Sequence, residues 1–563
     1  MSSSQMVAKR RSAAPSRPGA FDAEVDVIVV GSGGGGLSAA LFSRWLGNEV
    51  LLLEKAPELG GTTRKAAFWY WVPNNAAMRK LGLTDAKSDC IRYMARLSRP
   101  ESYDADHPTF GMNAWEFSMC EVIYDNASLA AELLAEKGAL EYRHCPDVPD
   151  YWCELPEDKA PKGRVLLPKG ACDTMSDGGE VAVRTMSQTA LRDGVEIRTG
   201  MRVQRVIRND QNEVVGVEAD GADGKSVALR ARKAVIFATG GFTHDVDLRK
   251  NFLSTPVLGG CAALTNEGDF VNIGTAIGVQ LRNMNFAWMC PISLEKAVNR
   301  DSSLIGTFSP SGDSMIYVNK RGVRVTNEKL AYNESAQAFF EWNPALGEYS
   351  NLVLIAVWDQ RSQDHSASSE YGRFIVPPGT NDDHVIRGAT VDELTRRIAE
   401  RLAKYARHTG DLKLAPDFAA NLVKNINRFN DFARAGKDLD FRRGERPVEL
   451  LFNGPTASAP TAPNPTMFPI ADTGPFYAAL MTGGNLDTKG GPKTAPDGKV
   501  LDTSDQPIPG LYGVGNCVAS ASARAYWAGG ATLGPILAFA YLAAKAANAE
   551  SVKTVLAPRA AAE

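Results

Sequence analysis

The sequence predicts an α/β fold in which a Rossmann-like dinucleotide-binding domain, with a parallel sheet and an antiparallel meander, is split by an inserted α+β domain. Three observations predict it. An apolar run at 27–30 leads into a glycine-rich turn and a helix, which is typical of a strand buried on both faces of a parallel sheet. Apolar and polar residues then alternate between 201 and 231. The stretch 286–457 has helical periodicity instead, so it predicts a second domain with a substrate cleft between the two.

The first glycine turn lies in a strand–turn–helix–strand unit at 25–63 and has the spacing G-x-G-x-x-G at Gly31, Gly33 and Gly36. The first glycine makes the tight turn, the second lets a pyrophosphate approach the backbone, and the third lets helix and strand pack closely. The N-terminus of the following helix favours an anion, because its free N–H groups and its dipole face the phosphates. Glu54 ends the second strand, where its carboxylate can accept hydrogen bonds from ribose hydroxyls. The unit therefore predicts dinucleotide binding.

Three later segments also bring glycines or polar groups to this predicted site. A second polar turn follows Glu54. Two apolar segments, 234–238 and 510–514, each end in glycines, where a ligand can approach the backbone closely. The further residues expected to contact the dinucleotide are Gly61, Thr62, Thr63, Gly240 and Asn516.

The remaining pattern of the first domain predicts short elements separated by turn residues. These are a helix at 178–192, a strand at 195–199, meander strands at 201–209, 213–219 and 227–231, and an apolar strand at 234–238.

In the inserted domain, one apolar face predicts a helix at 391–408, and Thr390 with Glu393 forms a capping box at its start. A second helix is expected at 417–435 and should end at Gly436. A proline-rich link at 455–469 returns the chain to the first domain. The expected organisation is a disordered basic arm at 1–23, the first part of the cofactor domain at 24–285, the catalytic domain at 286–457 and the second part of the cofactor domain at 458–563.

Length, composition and charge exclude several function classes. The 563 residues suffice for a large core and more than one domain. With 44% hydrophobic and 23% charged residues and a formal net charge of −3, no overall field attracts nucleic acid or an anionic membrane. The eight cysteines include no C-x-x-C pair and no metal-ligand spacing. We expect buried thiols in a reducing compartment, hence a cytoplasmic protein with no metal site and no nucleic-acid partner.

One segment, 525–544, has no charged residue over the length of a membrane span. Gly529, Gly530, Gly534 and Pro535 crowd its first half. The segment therefore favours a glycine turn followed by a helix buried inside a large protein, and we expect no transmembrane segment. Peripheral membrane association stays open. No apolar run follows the basic residues among the first twenty, so a secretory signal is not expected.

Several motifs together resemble a known flavoprotein group. They are the unit at 25–63, AVIFATGGF at 234–242, PFYA at 475–478 and PIPGLYGVGN at 507–516. The set is similar to the fumarate reductase and succinate dehydrogenase flavoprotein superfamily. Within it, the nearer resemblance is to the FAD-dependent 3-ketosteroid dehydrogenases (3-oxosteroid 1-dehydrogenases), through WVPNN at 71–75, NRFN at 427–430, DLDF at 438–441 and the segment 526–535. This resemblance, over 25–547, implies noncovalent FAD and removal of two hydrogens from adjacent carbons of a cyclic 3-ketone.

The resemblance also implies catalytic residues. In that family a tyrosine hydroxyl and the N–H of a glycine four residues later hold the ketone oxygen, and Tyr526 and Gly530 match them here. A tyrosine shortly after an Asn-Glu pair is the base, which TNEKLAY assigns to Tyr332. A supporting tyrosine follows an aspartate, which points to Tyr151. Gly534 is expected near the pyrophosphate or the flavin ring.

The sequence departs from the family pattern at two places. Where those dehydrogenases carry Ser-Gly-Gly-Gly before the tryptophan, this chain has Ala66-Ala67-Phe68-Trp69, and their Phe-Gly-Arg-Gly is here Phe441-Arg442-Arg443-Gly444. The first change puts bulky aromatics where glycines are usual and leaves the carry-over of the substrate open. Aromatic side chains still suit a flat apolar ligand, so the expected substrate is a small apolar cyclic ketone of the steroid class. The flavin would be reoxidised by an external acceptor, a quinone or a redox protein, which no motif names.

Three other functions compete with this interpretation. Reduction of an unsaturated acid, as in fumarate reductases, needs an arginine-and-histidine set, and His365, His384 and His408 do not form one. Desaturation at carbons four and five, or of a smaller cyclohexanone, keeps the same chemistry, but the turn that begins at Tyr526 resembles the 1,2-desaturating form. A redox-inactive flavin-binding or lipid-binding protein would lack the tyrosine set, which is present.

Overall fold

The computed structural model describes residues 21–172, 177–304, 306–310, 312–368, 384–453 and 462–555. Residues 1–20 of the expected basic arm and 455–461 of the expected proline-rich link lie outside this range. The domain boundaries stay a prediction.

Helices surround and connect the sheets of the described chain. The α-helices are α1 (Gly34–Trp45), α2 (Ala76–Lys80), α3 (Lys87–Ser98), α4 (Ala114–Glu136), α5 (Gly178–Arg192), α6 (Val246–Phe252), α7 (Asp269–Thr275), α8 (Leu294–Val298), α9 (Tyr332–Ser335), α10 (Gln360–Ser368), α11 (Val391–Lys404), α12 (Ala406–Thr409), α13 (Phe418–Ala435), α14 (Pro447–Asn453) and α15 (Leu533–Ala549). Short 3-10 helices cover Gly61–Lys65, Ala336–Phe340 and Gly515–Cys517.

The strands over the same described ranges are β1 (Ala23–Val30), β2 (Val50–Leu53), β3 (Tyr70–Trp71), β4 (Tyr142–His144), β5 (Val165–Pro168), β6 (Glu196–Arg198), β7 (Arg202–Arg208), β8 (Val214–Asp220), β9 (Ser226–Phe237), β10 (Leu281–Arg282), β11 (Ala287–Ser293), β12 (Met315–Val318), β13 (Trp342–Asn343), β14 (Glu348–Tyr349), β15 (Leu354–Asp359), β16 (Ile386–Gly388), β17 (Phe476–Thr488), β18 (Gly491–Pro492), β19 (Lys499–Leu501) and β20 (Pro507–Gly513).

The largest sheet has β1 near its centre, in the order β19-β20-β9-β1-β2-β6, and β1 runs parallel to both β2 and β9. Val27 and Val29 of β1 belong to the core on one face, whereas Ile28 and Val30 belong to the core on the other. A strand covered on both faces must be apolar throughout, which explains the continuous apolar run. The α/β fold class with a parallel sheet and antiparallel sheets is confirmed.

The predicted meander is present as β7, β8 and the first half of β9, which pair antiparallel. The sequence predicted two strands at 227–231 and 234–238, but β9 is continuous from Ser226 to Phe237. Arg232, in the gap between the two predicted strands, pairs with Asp26 of β1 and with Glu49, just before β2. The extra residue on β9 forms a bulge between Ala231 and Ala234, opposite the step from Val25 to Val27 of β1.

A second, antiparallel sheet in the order β11-β17-β15-β12, with β16 also on β17, follows in the chain. Helices α11 and α13 cover it, through side chains such as Leu394 and Leu422. The helix predicted at 391–408 is broken at Tyr405 into α11 and α12, while α13 ends at Gly436 as predicted, with φ +74°. Thr390 Oγ1 accepts from Glu393 N at 3.2 Å, but the Glu393 carboxylate accepts from Ala389 N at 2.8 Å, one residue before the expected donor.

The uncharged segment near the C-terminus forms a glycine turn and then α15, whose apolar side chains are buried in the core of the first sheet. This agrees with the expected buried helix. Among the described residues, no helix has both the length and the apolar character that a membrane crossing requires.

Candidate functional site

A cleft with an empty volume of about 800 Å³ opens at the carboxyl ends of β1, β2 and β9. This is the usual ligand position in an open parallel sheet. Most of the residues predicted to contact the dinucleotide line it, namely Gly31, Gly33, Glu54, Gly61, Thr62, Thr63, Gly240 and Asn516.

The first turn of this cleft requires glycine, because a side chain would clash with the backbone there. Gly31 has φ +101°, and a Cβ atom there would lie 2.4 Å from Ala238 O. A Cβ atom on Gly36 would lie 1.8 Å from Gly31 O, so Gly36 brings α1 against the turn instead of lining the cleft. Thr63 Oγ1 accepts from Gly34 N at 2.9 Å and fastens the second polar turn to the start of α1. The two glycine turns thus form one backbone-lined surface at a helix N-terminus.

Glu54 is held at the end of β2. Its carboxylate accepts from Ser32 N at 3.0 Å, from Ser32 Oγ at 2.6 Å and from Ala56 N at 2.8 Å. These bonds fix the carboxylate beside the glycine turn, the position that suits a ribose partner.

Asp487 is a cleft residue that the sequence analysis missed. It lies on β17, and its Oδ2 accepts from Gly241 N at 3.0 Å, from Asn266 Nδ2 at 2.7 Å and from Asn516 Nδ2 at 3.2 Å. Burial raises the pKa of its carboxyl group. A single charged residue inside a buried strand was the one signal for it, because such residues are seldom buried without a specific role.

The donor set of this cleft fits a dinucleotide cofactor such as FAD. It combines N–H groups at a helix N-terminus, glycine positions that admit no Cβ atom, and a fixed carboxylate at the end of the second strand. The expected contacts of Gly36 and Gly534 stay a prediction, because neither residue is among those that line the cleft.

The three tyrosines that the resemblance singled out form one cluster. The ring centroids of Tyr151, Tyr332 and Tyr526 lie 5.6, 5.4 and 5.1 Å apart in the pairs 151–332, 151–526 and 332–526. The Tyr151 hydroxyl donates to the Tyr332 hydroxyl at 2.8 Å. Burial of the phenol groups raises the pKa of Tyr332 well above 10 and raises that of Tyr526 as well. Their roles stay a prediction, but the geometry brings them together.

Trp288, on β11, connects the tyrosine cluster to the cleft. Its ring packs edge-on against Tyr526, with centroids 4.8 Å apart, and its Nε1 donates to Asn516 Oδ1 at 3.1 Å. The sequence analysis did not single out this residue. Phe308 packs against the Tyr332 ring, with ring centroids 5.0 Å apart.

The glycines after Tyr526 permit close packing of backbone segments. Gly530 has φ +86°, and a Cβ atom there would lie 2.5 Å from the carbonyl of Trp69. Its own carbonyl accepts from Trp71 N at 3.0 Å. A Cβ atom on Gly534 would lie 1.8 Å from Trp71 O, so this glycine seats the start of α15 against β3. The turn is therefore fixed against the strand that follows Trp69.

Two of the residues that replace family glycines keep a glycine-like backbone. Phe68 has φ +55° and Arg442 has φ +59°, both in the left-handed region that favours glycine. The Phe68 ring is buried against Tyr70 at 5.7 Å between centroids. The Trp69 ring fills the space beside Gly529, where a Cβ atom would lie 2.2 Å from it. The aromatics therefore occupy volume that glycines would leave open.

A buried charge cluster around Arg164 includes Asp150, the residue that precedes Tyr151. Arg164 pairs with Asp85 at 2.8 Å, with Asp150 at 2.5 Å and with Asp158 at 3.0 Å. Burial raises the pKa of Asp150 to about 8, and the nearby Asp158 carboxyl group acts in the same direction, although Arg164 favours the charged form. Trp71 Nε1 donates to Asp150 Oδ1 at 3.0 Å, which ties the residue before Tyr151 to β3.

The chain is similar to known proteins over most of its length. The chain is 30% identical to 4-oxocyclohexanecarboxylate 2-dehydrogenase of Sinomonas cyclohexanicum, over 92% of each chain. It is 29% identical to 3-oxosteroid 1-dehydrogenase of Mycobacterium tuberculosis (strain ATCC 25618 / H37Rv), over 92% of this chain and 98% of the relative. The crystal structure of 3-ketosteroid delta1-dehydrogenase from Sterolibacterium denitrificans, in complex with 1,4-androstadiene-3,17-dione, shares the fold, with a TM-score of 0.77, 24% identity and coverage of 93% of this chain and 99% of that chain.

The predicted resemblance is confirmed by these likenesses. FAD is the cofactor, and the protein is a flavoprotein oxidoreductase. The profile of the family described as FAD binding domain matches residues 26–533, which include both glycine turns, the second sheet and the tyrosine cluster. The chain therefore belongs to the FAD binding domain family.

Proposed function

We propose that this flavoprotein desaturates a cyclic ketone next to its carbonyl group, with 1,2-desaturation of a 3-ketosteroid as the specific reaction. The observation that carries the proposal is the cluster of Tyr151, Tyr332 and Tyr526, joined to the FAD cleft through Trp288 and Asn516. The names of two relatives, 3-oxosteroid 1-dehydrogenase and 4-oxocyclohexanecarboxylate 2-dehydrogenase, support the same reaction class.

The chemistry requires a polarised carbonyl and a base. A C–H bond next to a ketone is weakly acidic, so hydrogen bonds to the ketone oxygen must stabilise the enolate that forms. We assign those donors to the Tyr526 hydroxyl and the Gly530 N–H, and proton removal to Tyr332. The hydrogen bond from Tyr151 holds the Tyr332 oxygen in place. FAD, when bound, supplies the acceptor for the hydride that leaves the neighbouring carbon.

A smaller cyclic ketone is the second candidate substrate. Its first support is the 30% identity with a dehydrogenase of 4-oxocyclohexanecarboxylate. Its second support is the crowding near the tyrosines, because Trp69 and Phe68 take up volume where the ketosteroid enzymes have glycines. Both candidate substrates would react at the same tyrosines. They differ in the length of the apolar space that the ligand needs.

Anaerobic bleaching of the visible flavin band tests the proposal. The purified holoenzyme is mixed with androst-4-ene-3,17-dione, a saturated 3-ketosteroid, 4-oxocyclohexanecarboxylate or succinate, and the products are identified. Fast bleaching with a 1,4-diene product supports the 1,2-desaturase. Bleaching by the small ketone alone supports the second candidate, and bleaching by the saturated steroid alone supports 4,5-desaturation. If no ketone bleaches the flavin, the proposed function is wrong.

A further inference from the structure

The chain segment just before Tyr526 is held by two buried side chains from elsewhere in the sequence. Lys489 Nζ donates to Ala523 O at 3.0 Å and also to Ala525 O. Asn333 Nδ2 donates to the carbonyl between them, Arg524 O, at 3.3 Å. Three consecutive carbonyls are thus satisfied by side chains in a segment that forms neither helix nor strand.

Asn333 joins both tyrosines of the proposed reaction. It directly follows Tyr332 and is 2% exposed. Its Oδ1 accepts from Met289 N at 3.2 Å, next to Trp288, while its Nδ2 reaches the segment of Tyr526. One amide group therefore fastens the start of α9 to β11 and to the Tyr526 segment.

Lys489 reaches the same segment from the end of β17. It is fully buried, and its Nζ lies 3.9 Å from the ring centroid of Trp288, the residue whose ring packs against Tyr526. Burial holds the pKa of this lysine well below its usual value, although Glu334 favours the charged form. Such a costly burial requires compensation by the two carbonyls and the indole ring.

Resting on the function proposed above, we infer that Lys489 and Asn333 are positioning residues that fix the Tyr526 hydroxyl relative to Tyr332. Each binds backbone carbonyls within three residues of Tyr526, and neither needs to touch the substrate. Donor and base must face the same ring of the ketone from fixed directions. A displacement of about 1 Å in such a geometry lowers turnover by about 100-fold.

The test replaces the donors while keeping side-chain size. Lys489→Met removes both carbonyl contacts. Asn333→Asp keeps the acceptor for Met289 N but loses the donor to Arg524 O and to the Glu334 carboxylate. Lys493→Met is the matched control, because Lys493 is also buried but its Nζ pairs with Asp505 at 2.5 Å. For the FAD-loaded enzyme we expect kcat with the ketone to fall by about 100-fold in the first two variants, while KM changes by about threefold or less. The flavin content and the control variant should match the wild type.

A second readout does not depend on turnover. In crystal structures of the FAD-loaded variants, the centroids of Tyr332 and Tyr526, 5.1 Å apart here, should move apart, and the 523–525 segment should shift. A wild-type enzyme that converts no ketone overturns the proposed function, and the variant structures then decide this inference alone. Unchanged ring geometry, or a kcat equal to that of the control, overturns the positioning role. If Lys489→Met does not fold, Asn333→Asp tests the same positioning role by both readouts.

Discussion

The Tyr151 hydroxyl donates a hydrogen bond to the Tyr332 hydroxyl at 2.8 Å, although 181 residues separate the two in the chain. Tyr151 N donates to Trp527 O at 3.0 Å, so the turn of Tyr151 is fixed to the residue after Tyr526. The pair is therefore anchored to the segment that carries the third tyrosine. Burial raises the pKa of Tyr332 well above 10 and the neighbouring phenol of Tyr151 does not lower it, so the assignment of Tyr332 as the base rests on its place in the cluster and on the family resemblance.

Tyr332→Phe is expected to lower kcat by about 100-fold to 10,000-fold, because it removes the oxygen that takes the proton and leaves the ring in place. Flavin content should stay that of the wild type. Tyr477→Phe is the control, since Tyr477 lies on β17 in a different core cluster and its hydroxyl donates to Gln360 of α10 at 2.6 Å. Steady-state kinetics with the ketone identified by bleaching measures both. A Tyr332→Phe enzyme as active as the control would contradict the assignment.

The rate should rise with pH across the neutral and mildly alkaline range. Burial raises the pKa of Tyr332 well above 10, so the phenolate is a minor species there. Its population increases about tenfold per pH unit, and kcat/KM should follow between about pH 7 and 9. The pKa of Tyr526 is also raised by burial, so this donor stays protonated in that window. A profile that is flat or falls with pH in the wild type would exclude Tyr332 as the titrating base.

Local patterns were enough to predict the β1–α1–β2 unit and most of the cleft. The glycine spacing encodes contacts between neighbours in sequence, such as Gly31 with Gly36, and the apolar run encodes burial of β1 on both faces. The end of α13 at Gly436 is local in the same way. The tyrosines came from the family resemblance, because nothing in their own neighbourhood distinguishes a catalytic phenol from a core residue.

Contacts between distant segments could not be predicted. Asp487 accepts from Gly241 N across 246 residues, and Trp288 donates to Asn516 across 228. No periodicity encodes such pairs, since Asp487 and Trp288 lie on the paired strands β17 and β11, and only the tertiary structure brings these strands to the turns of Gly241 and Asn516. The continuity of β9 was missed for a related reason. Arg232 interrupts the apolar pattern of the strand, and its partners at 26 and 49 come to lie beside it only in the folded sheet.

Two glycines on α1 should respond differently to a methyl group. A Cβ atom on Gly36 would lie 1.8 Å from Gly31 O, whereas one on Gly34 would make ordinary contacts of 3.4 to 3.6 Å with Leu533 and Thr63. We expect Gly36→Ala to lose FAD and to be destabilised by about 3 kcal/mol or more, because the backbone itself must move. Gly34→Ala should fold with a stability within about 1 kcal/mol of the wild type. Flavin content and urea unfolding measure the two, and equal behaviour would contradict the close-approach argument.

The buried charge cluster around Arg164 should make the free energy of unfolding depend on pH. The pKa of Asp150 is about 8 in the folded protein against an ordinary 3.8, so the folded state holds a proton that the unfolded state releases. The stabilisation is fully present below the ordinary pKa and is lost as the pH rises through about 8. Asp150→Asn cannot ionise, so its free energy of unfolding should vary less between about pH 4 and 8. Asp147→Asn, at an exposed carboxyl group, is the control that should keep the wild-type slope. Equal slopes in both variants would assign the pH dependence to other groups.

Trp69→Gly should shift the substrate preference towards the larger ketone. The Trp69 ring lies against Gly529, in the turn between Tyr526 and Gly530, so it borders the volume next to the proposed ketone site. Removing it restores the glycine that the ketosteroid enzymes carry and lengthens the apolar space. We expect kcat/KM for androst-4-ene-3,17-dione, relative to 4-oxocyclohexanecarboxylate, to increase by about tenfold or more, the usual size of discrimination between ligands that differ by a small apolar group.

Trp342→Gly is the control, because it removes an exposed indole on β13 and should leave the ratio unchanged. If Trp69→Gly also leaves it unchanged while flavin content is normal, the Trp69 ring does not limit the length of the ligand, and Phe308, against Tyr332, is the next side chain to truncate.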